Sequence, residues 1–203
     1  GRFQIAPVED TGVTNRQFYW PDTNILVTRF LTPDGIAEIT DYMPVGTDVN
    51  RDQLIRQVSV ISGKITLRMV CQPAFNYARD SHTVRIDENG AVFHSQALSL
   101  GLAADVALTQ PGAVESTGAV EATFTLSEGE SCTFTLRQIE PGANCMPTFS
   151  EMASRHIFQQ TADYWQTWLR QCTYVGRWRE VVYRSALVLK LMTFEPTGAI
   201  IAA

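Results

Sequence analysis

Histidine and cysteine are scarce in this chain, three and four among 203 residues, and the few present stand far apart. The cysteines at 71, 132, 145 and 172 contain no Cys-x-x-Cys, and His82, His94 and His156 are as widely scattered, so no metal-ligand spacing is present and no metal is expected. Free, mostly buried thiols are the expectation, and they fit a reducing compartment, the cytoplasm. Long apolar runs are also missing. The best candidate, Tyr183 to Met192, is short and carries Arg184 and Lys190, which excludes a helical membrane span there. Positive charge is thin: 16 Lys and Arg stand against 21 Asp and Glu, giving a net charge of −5 and a pI near 5.2. With the basic residues scattered rather than striped, a nucleic-acid partner is not expected. No basic segment followed by an apolar run opens the chain. Gly-rich phosphate loops, a Gly-x-Ser-x-Gly elbow and His-Glu-x-x-His are all absent. Nucleophilic catalysis, metal catalysis and an organic cofactor therefore have no support in these residues.

What is present is, first, a series of short alternating runs. Asn24 to Leu31 and Ile36 to Tyr42 flank Thr32-Pro-Asp-Gly35; proline presets φ at the second turn position and glycine accepts a positive φ at the fourth, which predicts a hairpin. Leu54 to Ile61 and Ile65 to Cys71 flank Ser62-Gly-Lys64 and read as an antiparallel pair, with odd-numbered residues of the second run apolar. Val84-Arg-Ile86 and Ala91 to Ser95 predict a hairpin across Asn89-Gly90. Ala97 to Leu102 predicts one or two short strands. Glu121 to Leu126 and Ser131 to Arg137 predict a further hairpin, with Phe124, Leu126, Cys132, Phe134 and Leu136 on the inner faces. A polar loop is expected from Asp48 to Asp52. Hairpins in succession with no helix between them indicate an antiparallel β-sandwich.

The pattern then changes. Glu140 to Pro147 shifts to Pro, Gly, Ala and Asn, marking a boundary. Thr148-Phe-Ser-Glu151 has the spacing of a capping box, and the helix it predicts places Phe158, Ala162, Trp165, Leu169 and Cys172 on one apolar face. Gly176 separates this helix from a second, Trp178 to Thr193, whose end is assigned to Pro196 and Gly198. That second helix carries two apolar stripes, Trp178/Val182/Leu189 and Tyr183/Leu187/Leu191/Phe194, so more than one face needs cover. The plan is thus a mainly β chain with three parts. Residues 1–140 form a sandwich, residues 141–174 a linker with a helix, and residues 175–203 the start of a further helical unit.

Trp165, Cys172-Thr-Tyr174, Gly176, Trp178-Arg-Glu180, Arg184-Ser185, Lys190, Pro196-Thr-Gly198 and Ala202-Ala203 resemble the bacterial and archaeal trehalase- and glucoamylase-like members of glycoside hydrolase family 15. Arg2 to Pro7, Tyr19-Trp-Pro-Asp-Thr-Asn24, Leu26, Asp34-Gly35 and Ile39 to Pro44 are similar to the same family's sandwich domain. The resemblance is strong at both ends and loose from about Pro73 to Gln110. It implies an antiparallel β-sandwich followed by a linker helix and the first helix of an (α/α)6 barrel, truncated here. It also implies an inverting hydrolysis of an α-glucosidic bond, in trehalose or a short α-glucan, by two barrel glutamates. The family's Trp-x-Arg-Asp substrate signature is expected beyond Ala203. Two alternatives stay open: a free-standing carbohydrate-binding or interaction module, and a portion of a related disaccharide phosphorylase.

Glycoside hydrolysis needs two carboxyls across the scissile bond, and each local carboxylate has a structural reading that competes with a catalytic one. Glu38 and Asp41 flank a strand, Asp87, Glu88, Glu128 and Glu130 are turn residues, and Glu151 is a cap. Glu180 is expected to pair with Arg184 at i, i+4. No catalytic, cofactor-binding or metal residue is therefore assigned within the chain. Trp165 and Trp178 are expected in the core, and Trp168, off the apolar line, at an interface with the barrel.

Overall fold

The computed structural model describes residues 1–9, 11–45, 52–112, 118–194 and 196–201. Ten strands form the body: β1 (Arg2–Pro7), β2 (Thr14–Tyr19), β3 (Leu26–Thr32), β4 (Gly35–Tyr42), β5 (Gln53–Gln72), β6 (His82–Asp87), β7 (Gly90–Ser95), β8 (Ser99–Ala104), β9 (Val120–Ser127) and β10 (Ser131–Ile139). They make two antiparallel layers that share one strand. The larger runs β2-β3-β4-β5-β10-β8-β7-β6, and β1 and β9 flank the second half of β5 to make the smaller. The mainly β, antiparallel plan read from the alternating runs is thus present.

β5 departs from the expected hairpin. Ser62-Gly-Lys64 does not reverse the chain; a single 20-residue strand passes through it from the large layer to the small one. The cause is crowding at the crossing. Gly63 has φ +77° and lies opposite Gly35, and a Cβ on Gly63 would stand 1.9 Å from the Asp34 carbonyl oxygen. Two glycines facing each other, with a register shift between Ile36 and Ala37, let β5 bend without losing its pairing. The second departure follows from the first. β9 and β10 do not pair with each other: β9 runs along the second half of β5, Lys64 to Cys71, and β10 along the first, Gln53 to Ser59. They accompany β5 around its bend, joined by a turn at Gly129 (φ +81°) whose Glu130 carboxylate accepts from the Ser127 amide at 2.7 Å. Both expected inner faces survive this change, because burial depends on strand period and not on the partner. Phe124, Leu126, Cys132 and Phe134 are buried, with Leu136 packed at the margin.

The hairpins β3–β4 and β6–β7 form as read, and the run after Ala97 is the single strand β8. The main core lies between the layers: Ile65, Leu67, Met69 and Cys71 of β5 meet Phe93, Leu102 and Phe134 from the large layer. Of the expected polar loop, all but Asp52 lies outside the described residues.

The segment after β10 is irregular but anchored. Cys145 is buried against Val92 and Ala103 on the outer face of the large layer; its amide donates to Asp87 Oδ2 at 2.8 Å, and its carbonyl accepts from Asn89 Nδ2 at 3.0 Å. Helix α1 (Glu151–Leu169) then lies over Ile25, Tyr42 and Ile55 of that face. Its cap is not Thr148. Ser150 Oγ accepts from the Ala153 amide at 3.3 Å, Thr148 bonds to Asp105, and Glu151 pairs with Arg155 at 2.5 Å. The sandwich surface captures Thr148 and moves the helix start two residues on. Helix α2 (Arg179–Leu191) ends before Pro196 and Gly198, which sit instead in the turn of a small hairpin, β11 (Thr193–Phe194) with β12 (Ala199–Ile200). Ala202 and Ala203 lie outside the described residues.

Candidate functional site

The carboxylates considered for chemistry are spread through the fold and mostly engaged. Glu38 pairs with Arg29 at 2.5 Å on adjacent strands. Asp41 takes a bidentate bond from Arg56 at 2.8 and 3.0 Å, and that guanidinium also lies over the Phe3 ring. Asp87 accepts from the amides of Asn89 and Cys145, which fixes the β6–β7 turn to the linker. Glu151 is occupied by Arg155. Among the described residues no group of three or more His, Cys, Asp and Glu is placed to hold a metal. The cysteines are free, and burial pushes the Cys71 and Cys132 thiols up to about 12 and the Cys145 thiol up to about 11, which makes them poor nucleophiles.

The tryptophans divide. Trp165 is buried, 6% exposed, with Leu169 and Leu187, as expected. Trp168 is half-buried and packs against the cluster of Trp165, Leu169 and Leu187 that joins the two helices. Trp178 is not in the core: it is 57% exposed at the N-terminal end of α2, with Arg177 stacked 4.7 Å from its ring. Leu189 of its stripe is likewise exposed, while Val182 is half-buried.

Where the two helices meet the sandwich, residues distant in sequence converge on the β2–β3 turn, Tyr19 to Asn24. Trp20 meets Phe158 edge-on at 5.4 Å, and Gln166 Nε2 donates to the Pro21 carbonyl at 3.2 Å. The turn is internally fixed, since Thr23 Oγ1 donates to the Trp20 carbonyl and accepts from the Ile25 amide. Onto it comes Arg184 of α2. Its guanidinium stacks 3.8 Å from the Tyr19 ring centre, and Nη2 donates to the Thr23 carbonyl at 2.8 Å and to Asn24 Oδ1 at 2.7 Å. Asn24 Nδ2 returns a bond to the Leu187 carbonyl at 3.1 Å. Burial lowers the pKa of Arg184 from its ordinary value. The expected Glu180–Arg184 pair is not made: Arg184 turns inward to the turn, while Glu180 stays exposed in the first turn of α2. Sequence spacing pointed to a helix neighbour and missed a partner 160 residues away; the run Tyr19-Trp-Pro-Asp-Thr-Asn24 was the available signal.

Beside this contact an open groove of about 570 Å³ runs between Asp22 and the start of α2, lined by Arg177, Trp178, Arg179, Glu180 and Tyr183. Asp22 and Glu180 are both exposed, whereas a glycosidic general acid works from a pocket that withdraws its carboxyl from water. No helix among the described residues is long and apolar enough to cross a membrane.

The architecture is that of an antiparallel β-sandwich bearing a helical extension whose outer surface is apolar. No protein-family model matches the chain. Over its whole length it is similar to curated trehalases: 30% identical to that of Thermoplasma volcanium, 29% to that of Thermoplasma acidophilum and 27% to that of Mycobacterium tuberculosis. It spans 32%, 34% and 32% of those proteins, about a third of each. A solved structure described as a kojibiose phosphorylase from the human microbiome aligns with 95% of the chain and 28% of its own length, at 8% identity and a TM-score of 0.47. The chain is thus similar, over its whole length, to about a third of each of these trehalases, in line with the resemblance read from its two ends.

Proposed function

We propose that the chain is the sandwich and first helical part of a larger glycoside hydrolase of the family 15 type. That parent protein hydrolyses the α-glucosidic bond of trehalose or a short α-glucan with inversion, in a reducing, cytoplasmic compartment. In this reading residues 1–140 are the supporting sandwich, 141–174 the linker with α1, and 175–203 the first helix and start of an (α/α)6 barrel. The catalytic carboxylates lie in the rest of that barrel, and the 203 residues alone turn nothing over. The observation that carries the reading is the match of the whole chain to a third of each trehalase. A second feature supports it: Trp178, Val181, Val188, Leu189, Leu191, Met192 and Phe194 are all exposed along α2 and the residues after it. Scattered apolar residues on a surface are ordinary, but a contiguous patch marks a face made for contact.

The test is glucose release from trehalose and from maltose by this chain and by a protein extended to the trehalases' full length. The extended protein should release glucose without added phosphate or metal, and the 203-residue chain should not. Activity of the short chain equal to that of the extended one refutes the division. Release of a sugar phosphate that depends on inorganic phosphate replaces hydrolysis with phosphorolysis.

A further inference from the structure

Helix α2 has an ambiguity that hydrophobicity alone does not resolve. At about 100° per residue, Trp178, Val181, Val188, Leu189 and Met192 share one side, and Tyr183, Ala186 and Leu187 the other. The second group meets the sandwich and α1, with Leu187 2% exposed, while the first faces solvent. Either side is apolar enough to dock. What separates them is polar: Arg184, about 60° around the helix from Leu187 at the edge of the docked side, is held by Tyr19, Thr23 and Asn24.

We propose that Arg184 is a positioning residue that selects which face of α2 docks on the sandwich, through its stack on Tyr19 and its bonds to the Thr23 carbonyl and the Asn24 side chain. The contact is poorly designed for stability alone. No carboxylate among the described residues pairs with this guanidinium, and its Nε and Nη1 are buried without a partner. Burying a cation in this way costs more than an apolar side chain would, and such groups serve best to choose one arrangement over another. The opposite docking would bury Val188 and Leu189 but leave Asn24 without the Leu187 carbonyl and the Thr23 carbonyl without its donor. The planar guanidinium both stacks and forks, which a lysine ammonium cannot do. Arg184 thereby leaves the Trp178 side outward, open to a further layer of protein.

Thiol labelling of single cysteines on the two faces tests this, in the 203-residue chain with Cys172→Ser removing the accessible native thiol. Val188→Cys should react at least about tenfold faster than Ala186→Cys when Arg184 is present, because the docked face must open first. Arg184→Met or Asn24→Ala should bring the two rates within about threefold of each other. Arg184→Lys should not restore the difference, and Tyr19→Phe should keep it. Should Arg184→Met fail to fold by circular dichroism, Asn24→Ala reads the same equilibrium with the guanidinium in place. A rate difference that persists in both variants, or that Arg184→Lys fully preserves, overturns the proposal. Labelling involves no sugar, so its outcome is separate from whether the extended protein hydrolyses a glucoside.

Discussion

Trp165→Ala should weaken the attachment of the helices far more than it alters substrate binding. The indole is 6% exposed and forms one cluster with Leu169 of its own helix and Leu187 of α2, with Val45, Trp168, Tyr183 and Ala186 packed around it. Truncating a buried tryptophan to alanine costs about 3–5 kcal/mol, from lost transfer energy and the cavity left behind. The site lies at the margin of the fold, where neighbours can collapse inward, so the lower end, about 3 kcal/mol, is expected. For a domain of this size each kcal/mol moves the melting temperature by about 2–4 °C, so a fall of about 6–12 °C should appear in differential scanning calorimetry of the 203-residue chain. Trp165 is packed inside that cluster, so KM of the extended protein for the α-glucoside should stay within about twofold, a change of no more than ~0.4 kcal/mol. An unchanged melting temperature with a large rise in KM would refute the reasoning and make Trp165 a ligand contact.

The corner of β5 gives a sharper contrast: Gly63→Ala should prevent folding or destabilise severely, because its Cβ would meet the Asp34 carbonyl at 1.9 Å. Gly142→Ala, at φ +83° with nothing within 4 Å, should cost only about 1–2 kcal/mol in urea unfolding. Asp41→Asn should lose about 1.5–3 kcal/mol, the worth of charge-assisted bonds to the largely buried Arg56, whereas Arg29→Ala on the more exposed Glu38 pair should lose less than about 1 kcal/mol. Burial holds the Cys71 and Cys132 thiols up to about 12 and Cys145 up to about 11. The folded state therefore keeps protons that the unfolded chain releases above its ordinary thiol pKa near 9. Stability should be intact below about pH 8.5 and fall as pH rises toward 11, by at most about 1.4 kcal/mol per unit for each thiol. Urea midpoints measured from about pH 8 to about 10.5 should show this slope, and it should flatten in Cys71→Ala and Cys132→Ala; an identical slope in both variants argues against the thiols as its source.

Period and turn chemistry made most strands legible, and with them the inner faces of residues such as Leu67, Met69, Phe124 and Phe134. Pairing was less so, because alternation records which side of a strand is buried and not which neighbour it lies against. Ser62-Gly-Lys64 and Ser127-Glu-Gly-Glu130 carry similar turn residues to Thr32-Pro-Asp-Gly35. Only the last reverses the chain onto itself; the first bends a continuous strand, and the second passes from one layer to the other. A glycine with positive φ serves all three geometries, and the choice is made by long-range contacts that local sequence does not encode. The capping box failed for a related reason: Asp105, distant in sequence, took the Thr148 hydroxyl, and the neighbouring Ser150 was equally able to cap.

The joint between sandwich and helices separates two properties that sequence reading tends to merge. Apolar stripes on α2 assigned Trp178 and Leu187 equal claims on the core, and of the two only Leu187 is buried within this chain. Area alone gives energy without direction, since a leucine packs against whatever apolar surface is offered. Direction comes from groups with geometry: the amide of Asn24, the plane of Arg184 and the ring of Tyr19 fit one another in a single docking. The same division explains why Trp165 and Arg184, both at this joint, should fail differently when replaced. Loss of the indole removes the free energy that holds α2 down, whereas loss of the guanidinium leaves the helix held but free to present either side.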